Sequence, residues 1–308
     1  MKKITLITIL FLLLVGCSQP AASTQTETIT ITDNNGPVDV PFEPKRIVSF
    51  DYAVLDFMQL VDYEVEALGA VVNSAPDYLK DYVSNASEIG GLKEPNLEKI
   101  AAFKPDVIFI SSRTADFYDD LKKIAPVVYM SVDNQKMMED VKRINTEFSK
   151  IFNQEEKTET LLSQLTTLVT QTKQLVTTKN LKTLILMTND GNISAFGKGS
   201  RFGFLFDELG IINVDPQIES ATHGQEVSYE YILQTNPELI LAIDRGLLMD
   251  ATVDAAKTLS NELVNQTQAA LNNRIKSLDP NRIYLSAGGI QSIMGTVTEI
   301  KIIFESIQ

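Results

Sequence analysis

Hydrophobic positions along the chain follow two alternating periods. Short apolar runs, as at 46–50 and 107–111, are typical of buried strands. Between such runs, apolar residues recur every three or four positions, as at 53–60 and 96–104, which predicts amphipathic helices. Strands that alternate with helices in this way indicate a parallel, doubly wound sheet.

A stretch without proline or glycine divides this pattern into two halves. From about Lys136 to Thr178 the apolar residues keep a helical spacing, and then the alternation of strands and helices restarts. The second half has predicted strands at 183–187, 239–243 and 283–286, and predicted helices at 202–209, 229–234, 263–275 and 296–307. We therefore predict an α/β fold in which two doubly wound parallel-sheet lobes are joined by one long helix, with a ligand cleft between them.

The N-terminus has the features of an export signal. A basic "MKK" precedes an apolar run that is too short to span a bilayer, and "LVGC" at 14–17 has the form of a lipobox. Cys17 is the only cysteine, which favours lipidation at this position over a chance cysteine after an ordinary signal peptide. The predicted boundaries are a signal peptide at 1–16, the lipidated cysteine and a flexible tether at 17–35, the N-terminal lobe at 36–140, the linking helix at 141–178 and the C-terminal lobe at 179–308.

Composition narrows the functional classes. With 27 Lys and Arg against 40 Asp and Glu, the net charge of the 308 residues is −13, which argues against non-specific binding to nucleic acid. One cysteine and one histidine cannot supply the several Cys or His ligands of a typical zinc site.

One local pattern occurs twice. "KPDVIFISSR" at 104–113 and "NPELILAIDR" at 236–245 share a proline, an acid, an apolar run and a closing arginine. Because the carboxyl ends of parallel strands form the ligand site of an open sheet, Arg113 and Arg245 are expected to face the cleft, one from each lobe. The alternative is that both arginines form surface salt bridges, which contribute little.

The repeat extends upstream of the strands. Glu98 and Glu230 each stand seven residues before the repeated proline, Pro105 or Pro237, at the start of a predicted helix. We expect this pair of carboxylates on the outside, at the far side of each lobe from the cleft.

Three further residues carry candidate chemistry. Arg201 lies in the glycine-rich "GKGSRFGF" before a predicted helix, where a loop can bring an arginine and backbone amides to an anion. His223, in the polar loop "ATHGQE", is either a surface residue or a ligand. Tyr284, in "RIYLSAGG", lies inside a predicted apolar strand and either fills the core or faces the ligand.

Taken together, these segments resemble the substrate-binding lipoproteins of ABC importers for iron siderophores, haem and cobalamin. The resemblance covers essentially the whole mature chain. It rests on "PKRIVSFDYAVLDFMQLV", "GGLKEPNLEKIAAFKPDVIFIS", "GSRFGFLFDELGI", "SYEYILQTNPELILAIDRG" and "RIYLSAGG". The chain looks most like the ferric catecholate branch, the enterobactin and petrobactin type. The resemblance implies a monomeric protein, lipid-anchored on the extracytoplasmic face of the cell membrane.

The resemblance also implies residue roles. Three arginines line the cleft of that branch, and they match Arg113, Arg201 and Arg245. A histidine and a tyrosine complete the iron shell of tetradentate catecholates, and they match His223 and Tyr284. The glutamates that dock on the permease match Glu98 and Glu230.

The chemistry agrees with these roles. Guanidinium groups neutralise a catecholate complex, donate to its oxygens and stack on its rings. Fe(III) is hard and accepts phenolate oxygen and imidazole nitrogen. The ferric siderophore is then the transported ligand, and no intrinsic cofactor and no catalytic residue are expected.

Two other functions stay open at this stage. A haem or cobalamin binder on the same fold would use His223 as an axial ligand, but it gives no reason for three cleft arginines. A siderophore esterase would need the same histidine as its base, and the sequence has no recognisable nucleophile motif.

Overall fold

The computed structural model of the chain describes residues 27–218, 221, 223–248 and 253–307. The predicted signal peptide and the predicted lipidation site, Cys17, lie outside the described residues. Within the described ranges, no helix is both long enough and apolar enough to cross a membrane.

The N-terminal lobe is built on a five-stranded sheet. The strands of the whole lobe, inside and outside this sheet, are β1 (Thr28–Asp33), β2 (Gly36–Pro41), β3 (Arg46–Ser49), β4 (Ala67–Ala70), β5 (Ser87–Glu88), β6 (Gly90–Gly91), β7 (Glu94–Pro95), β8 (Val107–Ile110) and β9 (Val127–Tyr129). Its α-helices are α1 (Tyr52–Leu60), α2 (Lys80–Val83), α3 (Leu97–Phe103) and α4 (Tyr118–Leu121). The sheet has the order β5-β4-β3-β8-β9, with every neighbouring pair parallel, while β1–β2 and β6–β7 are separate hairpins.

The predicted tether ends too late in the sequence. Residues 28–33 form a strand that pairs with β2, so the flexible segment cannot extend to residue 35. The hairpin belongs to the lobe, because Ile31 and Val40 are buried in its core. The turn is also fixed to β9, since the backbone N–H of Tyr129 donates to Asp33 Oδ2 at 3.0 Å.

Two helices join the lobes: α5 (Met137–Phe152) and α6 (Glu155–Lys179). The prediction of one helix over 141–178 is wrong at Asn153, whose left-handed φ of 55° ends α5. Both helices contact both cores and run in opposite directions. Helix α5 runs from the core of the C-terminal lobe to the core of the N-terminal lobe. Helix α6 runs back, with Leu161 packed against the core of the N-terminal lobe and Leu165 in the core of the C-terminal lobe.

The C-terminal lobe has a mixed sheet. Its strands are β10 (Lys182–Asn189), β11 (Asn192–Phe196), β12 (Ile212–Asn213), β13 (Gln225–Glu226), β14 (Leu239–Asp244) and β15 (Ile275–Leu278). Its α-helices are α7 (Phe204–Asp207), α8 (Tyr229–Thr235), α9 (Ala255–Leu259), α10 (Gln268–Leu271) and α11 (Ile290–Ser306). The order is β13-β11-β10-β14-β15, with β12 also on β10. Strands β12, β10, β14 and β15 run parallel, as predicted, whereas β11 and β13 form an antiparallel edge.

Two element predictions fail near the C-terminus. Residues 283–286 are not a strand, because the chain forms a π-helix over Asn281–Leu285 directly after Pro280. The strand is β15, at 275–278, where its exposed Ser277 weakens the apolar signal of an edge strand. The helix predicted at 263–275 is interrupted at Thr267, whose extended backbone and side chain cap a new short helix.

A buried carboxylate fixes the two lobes to each other. Asp56, on α1, accepts from the backbone N–H groups of Gln291 (3.0 Å) and Ser292 (2.8 Å) at the start of α11. The hydroxyl of Tyr78 also donates to Asp56, at 2.8 Å. A Cβ on Gly289 would lie 2.4 Å from Asp56 Cγ, so only glycine permits this approach.

Asp56 makes the stability of the protein depend on pH. Burial raises the pKa of Asp56 from 3.8 to about 7, against the opposing effect of its hydrogen bonds. The unfolded chain loses this proton near the ordinary value, so between about pH 4 and pH 7 the folded state binds more protons. We therefore expect the contribution of Asp56 to the free energy of unfolding to fall as pH rises through this interval.

Thermal unfolding of the wild type and Asp56→Asn from pH 4.5 to 8 tests this expectation. The melting-temperature advantage of the wild type over the variant should shrink as pH rises. In Tyr78→Phe, which loses a hydrogen bond that lowers the pKa of Asp56, the decline should extend to higher pH. A constant difference between wild type and Asp56→Asn across the range would contradict the assignment.

Candidate functional site

Three arginines from separate parts of the chain surround one tyrosine ring. The guanidinium carbon of Arg201 lies 4.4 Å from the centroid of the Tyr284 ring. Those of Arg113 and Arg245 each lie 5.8 Å from the same centroid. All three distances are within the range of a cation–π contact. The structure thus brings together four of the five predicted ligand-binding residues.

Arg113 reaches the cluster from the N-terminal lobe. It follows β8, and its guanidinium donates across the cleft to the backbone carbonyls of Tyr284 (2.9 Å) and Leu285 (3.3 Å). The adjacent Thr114 is buried and donates its hydroxyl to the carbonyl of Leu92 at 2.7 Å, which fixes this loop.

Arg201 is presented by a tight glycine loop. Ser200, which is buried, donates its hydroxyl to the carbonyl of Gly197 at 2.6 Å. Gly199 has a φ of +70°, and a Cβ on Gly203 would lie 2.7 Å from the backbone nitrogen of Gly199. The glycines that make "GKGSRFGF" conspicuous in the sequence are therefore needed to fold the chain back before α7.

Arg245 follows β14 directly, as the internal repeat predicted. The preceding Asp244 is buried and accepts from the backbone N–H groups of Gly246 (2.9 Å) and Ala255 (2.6 Å). This carboxylate shapes the turn that carries Arg245, whose Nε is buried without a hydrogen-bond partner. Sequence reasoning missed the role of Asp244, although an acid at a strand end before glycine is a typical turn signal.

The cluster carries a concentrated positive charge. Among the described residues, none of the three arginines forms an ion pair with a carboxylate. Burial lowers the pKa of Arg201; the nearby Tyr284 opposes this, and the charges of Arg113 and Arg245 lower it further. A group of like charges in this state is stabilised by an incoming anion.

A cavity of about 240 Å³ adjoins the cluster and lies between the lobes. It is lined by side chains of both lobes and of α5, including Arg113, Arg201, Tyr284, Asp51 and Ile144. A larger hollow of about 570 Å³, between α5 and α6, contains none of the predicted site residues. The chemistry and the interlobe position therefore single out the smaller cavity as the candidate site.

Asp51 is a polar wall residue that sequence reasoning missed. It caps the N-terminus of α1, where its Oδ1 accepts from the backbone N–H of Ala53 at 3.0 Å. Burial raises the pKa of Asp51 to about 6, while this hydrogen bond and the charge of Arg113 oppose the shift. The acid before the apolar run "YAVL" is a recognisable helix-capping signal, but it does not reveal that the side chain lines a cavity.

His223 is not part of the cluster. It is exposed, in the turn before β13, and is not among the residues that line the cavity. Antiparallel pairing sets Gln225 opposite Ala195, and a Cβ on Gly224 would lie 2.9 Å from the carbonyl oxygen of Ala195. The turn that contains His223 therefore lies beside the end of β11, at the start of the loop that carries Arg201.

Glu98 and Glu230 occupy equivalent positions in the two lobes. Each is exposed in the first turn of a seven-residue helix, α3 or α8, that is capped by Asn96 or Ser228. Each helix ends just before its repeated proline and the start of β8 or β14. Neither glutamate is among the residues that line the interlobe cavity.

The fold defines a class: a two-lobed α/β binding protein with a cavity between the lobes. The model of the family described as periplasmic binding protein matches residues 47–282, and the chain belongs to this family. This confirms the predicted family resemblance and the expectation of a binding protein rather than an enzyme.

Three relatives are similar over most of the chain. The petrobactin-binding protein YclQ of Bacillus subtilis is 36% identical, covering 92% of this chain and 90% of its own length. Its crystal structure superposes with a TM-score of 0.86 at 35% identity, covering 91% of this chain and 99% of that one. The ferric-anguibactin-binding protein FatB of Vibrio anguillarum is 30% identical, covering 93% and 92%. The periplasmic catecholate-siderophore binding protein VctP of Vibrio cholerae has a TM-score of 0.82 at 29% identity, covering 90% and 100%. These matches confirm the predicted α/β fold.

Proposed function

We propose that this chain captures a ferric catecholate siderophore outside the cytoplasmic membrane and delivers it to the permease of an ABC importer. The observation that carries the proposal is the convergence of Arg113, Arg201 and Arg245 on one ring without carboxylate partners among the described residues. Catecholate arms bring more negative charge than one Fe(III) neutralises, and flat rings that can stack on guanidinium planes. The names of YclQ and VctP, which bind petrobactin and catecholate siderophores, support the same ligand class.

The same site accommodates direct contact with iron. A tetradentate siderophore leaves two positions of octahedral Fe(III) open, and phenolate oxygen and imidazole nitrogen are suitable donors. In the proposal, Tyr284 and His223 fill these positions. Because His223 lies at the start of the Arg201 loop, a small movement of that loop would bring it toward bound ligand.

The remaining roles complete the transport cycle. A lipid on Cys17 anchors the protein, as a monomer, to the extracytoplasmic face of the membrane. Glu98 and Glu230 contact the permease, one from each lobe. The siderophore carries the iron, so the protein needs no cofactor of its own.

A titration of the soluble form, starting after Cys17, tests the ligand class and the iron contact. We expect tight binding of ferric complexes of both tetradentate and hexadentate catecholates. Binding is measured by the change in tyrosine fluorescence and in the visible charge-transfer band. His223→Ala should weaken tetradentate complexes at least about tenfold more than hexadentate ones, because only the former need protein donors.

Lys198→Ala is a matched control, because Lys198 lies in the same loop but pairs with Asp207 at 3.5 Å. It should leave both affinities unchanged. Equal losses for both ligand classes in His223→Ala would contradict iron coordination by the histidine. Failure of the wild type to bind any ferric catecholate would overturn the proposed ligand class.

A further inference from the structure

We propose that Tyr284 is the positioning residue for the three cleft arginines: its ring holds them as a preformed anion cradle before any ligand arrives. This role is separate from iron coordination, because the ring lies within cation–π distance of all three arginines, whereas its phenol oxygen accepts a hydrogen bond from Arg201 alone. The inference rests on the proposed function for its ligand, and its structural basis is the arrangement of the three guanidinium groups around the ring.

The cluster brings three like charges close together. Three guanidinium groups would be expected to move apart into solvent, since like charges repel and each arginine gains rotamer entropy when released. Instead they all lie within 6 Å of one ring centroid, at 4.4, 5.8 and 5.8 Å. Among the described residues no carboxylate forms an ion pair with any of them. Arg113 is held in part by its hydrogen bonds to the backbone carbonyls of Tyr284 and Leu285. The attraction that all three arginines share is the aromatic ring.

The Tyr284 ring is fixed by contacts of its segment with both lobes. Tyr284 belongs to the π-helix Asn281–Leu285, and its neighbour Ile283 is buried in the core of the C-terminal lobe. The N-terminal lobe forms hydrogen bonds with the same segment. The backbone N–H of Asp77 donates to Asn281 Oδ1 at 3.1 Å, and the guanidinium of Arg113 donates to the carbonyl of Tyr284 at 2.9 Å. A ring fixed from both lobes can order side chains that come from both.

Preorganisation of this kind raises affinity without adding a contact to the ligand. A site whose donors are already in place loses less conformational entropy on binding than one whose donors must be ordered. Removal of the ring should therefore weaken binding of every anionic catecholate complex, including those that leave no iron position for a phenolate.

Hexadentate ferric catecholates separate the two roles of Tyr284. Tyr284→Phe keeps the ring and removes the oxygen, together with its hydrogen bond from Arg201, so it should weaken binding of a hexadentate complex by less than about tenfold. Tyr284→Leu removes the ring, and it should bind the same complex about 10- to 100-fold more weakly, because several cation–π contacts are lost. Tyr118→Leu is the control: Tyr118 also lies beneath a cation, Lys122 at 5.6 Å, but outside the cleft.

Pentafluorophenylalanine at position 284 guards against a folding defect in Tyr284→Leu. It keeps the volume of the ring while reversing its quadrupole, so it should weaken hexadentate binding as Tyr284→Leu does. Hexadentate affinity that stays within threefold of the wild type in both ring-altered variants would overturn the positioning role.

A ligand-free measurement keeps this inference distinct from the proposed function. Arginine 15Nε–{1H} heteronuclear NOEs, assigned with single Arg→Lys variants at 113, 201 and 245, should be high, as for ordered side chains, in the wild type and Tyr284→Phe. They should fall in Tyr284→Leu, because side chains that lose the ring gain rotamer freedom. If the wild type bound no catecholate, the proposed function would fail, while these spectra would still decide the positioning role. NOEs that stay high in Tyr284→Leu would refute it.

Discussion

Replacing Arg201 with alanine is expected to weaken binding of a hexadentate ferric catecholate about 100-fold. Arg201 is the arginine nearest to the Tyr284 ring, at 4.4 Å, and it is half-buried. Hydrogen bonds from a charged donor in such a place contribute about 1.5–3 kcal/mol each, and about 1.4 kcal/mol corresponds to a factor of ten in affinity.

The same substitution should change the stability of the protein little. It removes the contact of Arg201 with the Tyr284 ring, but it also removes the repulsion of Arg201 by Arg113 and Arg245, and the two effects offset each other. Thermal unfolding should therefore show a nearly unchanged midpoint in a variant that has lost binding. Arg201→Lys should be intermediate in affinity, because it keeps the charge but loses the planar fork.

Arg143→Ala is the matched control for charge. Arg143 forms an ion pair with Asp140 at 2.8 Å and does not line the cavity, so its removal should leave siderophore affinity unchanged. Titration at several salt concentrations adds a second measure, because loss of a charge contact should reduce the salt dependence of affinity. Affinity of Arg201→Ala within threefold of the wild type would show that the arginine cluster is not the anion site.

The sequence predicted best those features that short-range physics determines. The internal repeat is an example: in each copy a polar residue caps a short helix, Ile100 or Ile232 is buried, and a left-handed residue ends the helix before the repeated proline. Such helix starts and stops depend on residues only a few positions apart. The positions of Arg113 and Arg245 after their strands followed from the same local rules.

The errors occur where an apolar run does not reveal its partner. "IYLS" has the composition of a buried strand, but Ile283 packs into the core from a π-helix, and the edge of the sheet is taken by the more polar β15. Tertiary packing overrides local propensity at such positions. The break at Asn153 was also hidden, because asparagine tolerates both a helix and the left-handed conformation that ends one.

The convergence of the site is the feature that sequence reasoning could not reach. It placed an arginine at the edge of each lobe, but the distances to Tyr284 depend on how the two lobes are fixed together. That fixation comes from contacts between residues more than a hundred positions apart, such as Asp56 with Ser292 and Asn145 with Gly288. Asp51 was missed for a related reason, since a capping acid looks the same in sequence whether or not it borders a cavity. Asp244 was missed because one of its hydrogen bonds comes from the backbone N–H of Ala255, eleven positions further along the chain.

Replacing Glu98 and Glu230 together with alanine is expected to abolish siderophore-dependent iron uptake by cells while leaving binding by the soluble protein intact. Both carboxylates are exposed in the first turn of their helices. The pKa of Glu230 is lowered by its own backbone N–H and by the Ser228 hydroxyl, so it stays charged. Two equivalent charges, one on each lobe, fit a partner that contacts both lobes at once, and charge pairs of this kind set orientation and the rate of association.

Radiolabelled iron uptake in cells, compared with titration of the purified double variant, measures the two properties separately. Each single variant should reduce uptake partially, because one lobe keeps its contact. Charge reversal to lysine at both positions should be at least as severe as alanine, since it adds repulsion to the loss of attraction.

Asp119→Ala combined with Glu262→Ala is the matched control, because it also removes one exposed carboxylate from each lobe outside the repeat. Uptake that survives in the Glu98 and Glu230 double variant, at normal protein levels, would exclude these residues as the permease contact. Loss of soluble binding in that variant would instead place them in the ligand site, and the lining of the cavity argues against that outcome, since it includes neither glutamate.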